Sequence, residues 1–265
     1  MTTVSDRAEA AARIIHRCWT NGEVIEALPD ECRPRTVADG YAAQRALAAV
    51  TGEPALGWKI AATSTSGQRH INVGGPIAGR LLASRVHHSP CEVTFGANRM
   101  AVAEAEFAFV MGADLPARET TYSVEEVLAA VATLHPAIEI PDSRFADFTR
   151  AGIAQLAADN ACAHEFVLGP ASDADWRAID RAAQRVTLTI DGHVATTGAG
   201  ADALGDPRAA LAWIANNHAA QGAALRAGDI VTTGVCGRPS AIEAGSRVVA
   251  EFGTIGTAEV TLVGI

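Results

Sequence analysis

Two glutamates, Glu104 and Glu106, stand two positions apart in the otherwise apolar run VAEAEFAFVM, from Val102 to Met111. In a strand that spacing turns both carboxylates to one face, about 7 Å apart along the chain. Phe107 and Phe109 then line the other face, so both faces read as at least partly buried. Two carboxylates in a low-dielectric site do not both stay ionised unaided, and something positive belongs between them. A third acid, Glu139, sits between Ile138 and Ile140 in PAIEIPDSRF. Three carboxylates with no histidine at ligand spacing suit a hard, oxygen-preferring dication, Mg2+ or Mn2+, with open positions for water or substrate. A polar strand edge also accounts for a Glu-x-Glu pair, and the residues alone leave both readings open.

The elements that must position these acids are legible in outline. Apolar spacing gives an amphipathic helix from Ser5 to about Leu28 and an Ala-rich second helix over DGYAAQRALAAV, Asp39 to Val50. ALGWKIAATS is a short strand-like run, after which Gly74, Gly75, Pro76 and Gly79 predict an irregular loop. A boundary near Val86 divides an α-rich N-terminal part, 1–86, from a larger part, 87–265. In TYSVEEVLAAVATLHP, Ser123 and Glu126 form a capping box, and the helix is predicted to run nearly to Pro136. Asp206 and Pro207 open another helix that Gly222 stops. RVTLTIDGHVATT alternates around Asp191-Gly192, a two-residue hairpin, and SRVVAEFGTIGTAEVTLVG predicts a second hairpin turning at Gly253 to Gly256. Hairpins with interspersed helices indicate an α+β fold on a curved antiparallel or mixed sheet.

Composition narrows the function classes. The 265 residues are 49% hydrophobic, enough for a sizeable core. With 30 acidic against 21 basic residues and a net charge of −9, the chain offers no basic run to track a phosphate backbone, which excludes nucleic acid as the expected partner. No apolar stretch reaches the roughly 18 to 20 residues of a bilayer span. Charged residues also interrupt any signal-like core at the N-terminus, so a cytoplasmic protein is expected. Five scattered cysteines read as reduced thiols. His87-His88 reads as a solvated loop pair, and GAGADALG lacks the spacing of a nucleotide loop.

Taken in order, GWKIAATS, EAEFAFVMGADLP, PAIEIPDSRF, DNACAHEFVLG and RAGDIVTTG resemble the 2-oxopent-4-enoate hydratase and 4-oxalocrotonate decarboxylase family of the fumarylacetoacetate hydrolase-like superfamily. The resemblance covers most of the chain. It implies a mixed β-sheet roll with flanking helices, a metal site of Glu104, Glu106 and Glu139 for Mg2+ or Mn2+, and Lys59 in the active site. Without it Lys59 reads as a snorkelling surface lysine. Cys162 stands where the family's Asp-Asn-Ala-Ser has serine. Thr232 and Thr233 precede Gly234 at a strand end. Of these residues, Cys162 and Thr233 are the candidates for contacting substrate. Several hydratases of the family carry Asp after the Pro of VGGPIAGRLL, where this chain has Ile77 and Ala78. No general base is identifiable in its place.

The reaction the resemblance implies is addition of water to a 2-hydroxy-2,4-dienoate, or its 2-oxo-4-enoate tautomer, to give a 4-hydroxy-2-oxo acid. The cation would hold the C1 carboxylate and C2 oxygen, and Lys59 would hold the carboxylate or assist proton transfer. Two rivals stand beside it: decarboxylation of a 2-oxo-3-enedioate, which the missing loop acid favours, and a non-catalytic partner of a homologous enzyme. The family also implies a homo-oligomer.

Overall fold

The computed structural model describes residues 3–264. Helices α1 (Val4–Asn21) and α2 (Val37–Thr51) each begin with a capping box, Thr3 with Asp6 and Thr36 with Asp39. Helix α1 stops earlier than its apolar spacing predicts, because Gly22 turns the chain into the left-handed region. The remaining helices are α3 (Thr65–His70), α4 (Val124–Ala129), α5 (Phe148–Ala151), α6 (Ile153–Ala158) and α7 (Pro207–Ala220).

The strands are β1 (Ala55–Ala61), β2 (Ile77–Leu82), β3 (Val86–His88), β4 (Cys91–Thr94), β5 (Val102–Met111), β6 (Val131–Ile140), β7 (Glu165–Leu168), β8 (Arg185–Ile190), β9 (His193–Ala199), β10 (Ile230–Val235), β11 (Ser240–Ala241), β12 (Arg247–Glu251) and β13 (Thr257–Val263). An eight-stranded mixed sheet has the order β2-β1-β10-β5-β6-β7-β3, with β11 also paired to β5. A five-stranded sheet has the order β4-β13-β12-β8-β9. The N-terminal 86 residues thus supply two long helices and also two strands of the larger sheet. Both predicted hairpins form, with Asp191 and Gly192 at positive φ between β8 and β9.

Alternation along β5 decides what each face does. Ala103, Ala105, Phe107 and Phe109 share the main core with Val248, Phe252 and Leu262 of the smaller sheet's side and with Leu211 and Ile214 of α7. The Phe107 ring meets that of Phe252 edge to face, 4.9 Å between centroids. Glu104 and Glu106 therefore stand on the opposite face, toward α3, α5 and α6. Helices α1 and α2 build a separate small core with Ala158 and Phe145. The buried Gln44 ties α2 to the sheet by donating to the Ala78 and Ala157 carbonyls.

Three elements differ from expectation. The capped helix after Ser123 lasts six residues, and the chain then enters β6, whose ten residues include Pro136. Sheet pairing overrides the helical pattern because β6 matches β5 residue for residue, Glu104 to Glu139 and Phe107 to Pro136. The proline is tolerated because its missing N–H falls at the end of β7, where only its carbonyl is used, accepting from Gly169 N–H. Gly79 is not in a loop but inside β2, opposite Lys59. A Cβ there would lie 2.3 Å from the Asn160 carbonyl oxygen, so glycine allows that close approach. His87 lies in β3, and its Nε2 is 2.6 Å from Glu165 Oε2.

Candidate metal and substrate site

Glu104 and Glu139 are direct cross-strand partners on β5 and β6, and Glu106 follows one pleat along β5. One carboxylate oxygen from each lies within 4.8 Å of the others. Glu106 and Glu139 are fully buried, whereas Glu104 is partly open to a cavity. The pleat that puts them on one face is the one their spacing predicts, and the β5–β6 register brings in the third.

Strand β10 fixes the orientation of Glu106. Between Thr232 and Val235 its register against β5 slips by one residue, with Gly234 at φ +93°. This bulge turns the Gly234 N–H onto Glu106 Oε2 at 2.8 Å, and the Thr232 hydroxyl donates to the same oxygen. Thr63 packs where a Cβ of residue 234 would stand, so the bulge requires glycine. Glu106 Oε1 and both oxygens of Glu139 are buried with no hydrogen-bond donor.

Lys59, on β1, brings its ammonium to 2.8 Å from Glu139 Oε1, an ion contact without hydrogen-bond alignment, and donates to the Ala161 carbonyl at 3.1 Å. Burial works against its charge, but Glu139, Glu104 and Glu106 together outweigh it and hold the ammonium above its ordinary range. Burial, then the Glu139 charge, pushes Glu104 up to about 7, and burial with both neighbours pushes Glu106 well above the carboxylate range. One lysine does not neutralise three acids. Oxygen-only donors, mutual proximity and three orphaned buried oxygens fit a hard divalent cation.

Cys162 lines the same cavity as Lys59 and Glu104. Burial and then the Asp159 charge push its thiol up to about 12, so it stands as a neutral thiol. The Thr233 hydroxyl donates to the Phe107 carbonyl at 3.3 Å, while that of its neighbour Thr232 reaches Glu106. The buried pair Arg144–Asp159, which shapes the Asn160–Cys162 turn, carried no role in the sequence reading; its signal there was only the recurrence of both residues inside the quoted motifs.

The model of the fumarylacetoacetate (FAA) hydrolase C-terminal family matches residues 47–263. A 2-keto-4-pentenoate hydratase of Paraburkholderia phymatum is 33% identical over 255 residues, 95% of this chain and 96% of that protein. A 2-hydroxyhexa-2,4-dienoate hydratase of Comamonas testosteroni is 31% identical and covers 85% of this chain and 86% of its own length. Among solved structures, 4-oxalocrotonate decarboxylase from Pseudomonas putida G7, complexed with magnesium and adipate, superposes with a TM-score of 0.88 at 25% identity, covering 97% of this chain and 98% of that one. The same decarboxylase has also been solved with calcium and acetate.

Proposed function

This chain belongs to the fumarylacetoacetate hydrolase family, and from that premise we propose that it is a lyase adding water to a 2-hydroxy-2,4-dienoate, with Glu104, Glu106 and Glu139 holding Mg2+ or Mn2+. The observation that carries the reading is the convergence of three carboxylates with orphaned buried oxygens beside Lys59, in a chain similar end to end to proteins named as hydratases of such acids. When bound, a divalent cation there supplies a Lewis acid toward the C1 carboxylate and C2 oxygen of the substrate.

The chain's own residues do the rest. Thr232 and the Gly234 N–H hold Glu106 in one orientation, leaving its second oxygen for the ion. Lys59, pinned by the Ala161 carbonyl, offsets the acid cluster and offers a positive charge to the anionic substrate. The apolar walls pack against the carbon chain of the substrate, and the neutral Cys162 thiol contributes packing and a weak donor. The enzyme is proposed to act in the cytoplasm; no described helix is long and apolar enough to cross a membrane. It is further proposed to be a homo-oligomer, for which the edge strand β9, with Val194 exposed, offers a pairing surface.

Decarboxylation of a 2-oxo-3-enedioate is the second reading, favoured by the superposition on 4-oxalocrotonate decarboxylase. Purified protein with Mg2+ is incubated with 2-hydroxypenta-2,4-dienoate and with 2-oxohex-3-enedioate, following diene absorbance and CO2 release separately. Diene loss without CO2 release is the expected result. CO2 release alone transfers the assignment to the decarboxylase. A lone chain inactive on both substrates, yet activating a co-expressed homologue, returns the non-catalytic partner role.

A further inference from the structure

The sheet face that bears the carboxylates changes character within one pleat. Strands β1 and β6 run opposite to β5, so Ala61 and Pro141 lie beyond Lys59 and Glu139 in the same direction in which Val102 lies beyond Glu104. Ile77 lies beyond Gly79 in that direction too, opposite Ala61. The step is about 7 Å, well beyond the three carbon–carbon bonds that separate C2 from C5 of a pentadienoate, so the second row stands where a longer chain would run. Every residue in this second row is apolar.

The cavity beside Lys59 and Glu104 continues that row. Ile71, Ile77, Met100, Val102, Phe148 and Leu156 form its hydrocarbon wall, and its volume is about 560 Å3. A five-carbon oxo acid occupies on the order of 150 Å3, about five water molecules' share of the liquid. Most of the cavity is therefore surplus to the smallest substrate. Of its remaining basic side chains, His70 and Arg238 are both exposed, where any charge contact is screened by solvent. A second carboxylate at the far end of the substrate would find no buried cation there, only the hydroxyls of Thr63, Ser64 and Ser66 among the polar side chains of the lining, too little to replace its water.

We propose that this site selects dienoates whose C5 end carries an uncharged apolar substituent several carbons long, with Ile77, Met100, Val102 and Phe148 as the residues that determine this specificity. The inference rests on the hydratase reading and goes beyond it in naming the substituent. It also gives Ile77 a role: where several hydratases of the family carry an acid, this chain extends an apolar wall.

The test compares kcat/KM for 2-hydroxypenta-2,4-dienoate, 2-hydroxyocta-2,4-dienoate and the diacid 2-hydroxyhexa-2,4-dienedioate, with Mg2+ present. Each buried methylene is expected to raise kcat/KM about fourfold, on the order of 60-fold for the three-carbon extension. The diacid is expected to fall below the unsubstituted substrate. Met100→Ser and Phe148→Ser should each shrink the long-to-short ratio severalfold. Calorimetric binding of 2-oxooctanoate against 2-oxopentanoate to the metal-loaded protein gives a readout independent of turnover, and the longer acid should bind more tightly by a similar factor. Equal values for long and short acids, or a preference for the diacid without CO2 release, overturn the inference while leaving hydration intact; a preference for the diacid with CO2 release overturns the inference together with the hydratase reading. Absence of turnover on all three dienes overturns the hydratase reading itself, and with it this inference as stated.

Discussion

Arg144 and Asp159 form an ion pair sealed from solvent, with Nε 2.5 Å from Oδ1 and the Ser143 hydroxyl donating to Oδ2 at 2.7 Å. The pair ties the loop after β6 to the end of α6, directly before Asn160, Ala161 and Cys162, which all have left-handed backbone at φ 55°, 52° and 60°. Such conformations cost about 1–2 kcal/mol for each non-glycine residue, so the surroundings must hold them. Arg144 does so by also donating to the Ala163 carbonyl, and Asn160 by spanning the edge of β2, where it accepts from Arg80 N–H and donates to Arg80 O. What the turn delivers is the Ala161 carbonyl on the Lys59 ammonium. Arg144→Met is expected to cost about 3–5 kcal/mol in urea denaturation, because it strands the Asp159 carboxylate in the interior. Arg144→Met with Asp159→Leu should recover most of that loss. A single-variant cost near zero would remove the clamp from this account.

Thr232 and Thr233 are neighbours with separate duties. Thr232→Val removes one of two donors that orient Glu106, and supporting hydrogen bonds of this kind are worth about 10–100-fold in metal affinity. Thr233→Val removes a hydrogen bond to the Phe107 carbonyl on the strand itself and should leave Mn2+ affinity within a few fold. Calorimetric titration of the two variants reads the contrast directly. Equal losses would mean that the hydroxyl on Glu106 does not shape the site.

The two hairpins and the acid-bearing strand were legible because each obeys a short-range rule: a turn dipeptide, or alternation of period two. The carboxylate cluster was legible only in part. Spacing places Glu104 and Glu106 on one face, but Glu139 joins them through the register of β5 against β6, which no local pattern encodes. The helix predicted after Ser123 fails for the same kind of reason, since Val131 to Ile140 pairs along its length with β5 and, from Ala137 onward, with β7 as well, which outweighs helical continuation. Choosing Thr232 over Thr233 needed the parity of β10, set by its pairing with β5. The clamp from Arg144 to Asp159 joins residues 15 apart across two short helices whose geometry no periodicity fixes.

Glu139→Gln separates the cost of the acid cluster from its use. Removing one buried negative charge relieves repulsion on Glu104 and Glu106, so the metal-free variant should melt no lower than the parent chain, even though Lys59 loses its closest counter-ion. The same change takes an oxygen ligand from the proposed cation. In the parent chain, Mg2+ or Mn2+ at about 100 times its Kd should add about 2.7 kcal/mol of stability. In Glu139→Gln that increment should vanish at the same metal concentration. Thermal melts with and without metal check both halves. A retained increment would take Glu139 out of the ligand set.

Metal affinity should depend on pH in a window set by the carboxylates. Glu104 is pushed from about 4.5 up to about 7 by burial and the Glu139 charge, and Glu106 is pushed higher than its ordinary range by burial and both neighbours. Above about 4.5 the unfolded chain has released these protons while the metal-free folded chain still holds them. The stability Glu104 contributes is therefore greatest on the acid side and is lost as pH rises through about 7, and the Glu106 contribution has the same sign. A dication binds the deprotonated form, so it must displace those protons. Its affinity should climb by up to about tenfold per pH unit on the acid side of this window, and Glu104 should stop contributing to the slope beyond about 7. Calorimetry in buffers of different ionisation enthalpy counts the protons released on Mn2+ binding, with the expected number falling as pH rises. A pH-independent affinity with no proton release would show that Glu104 and Glu106 are already ionised before the ion arrives.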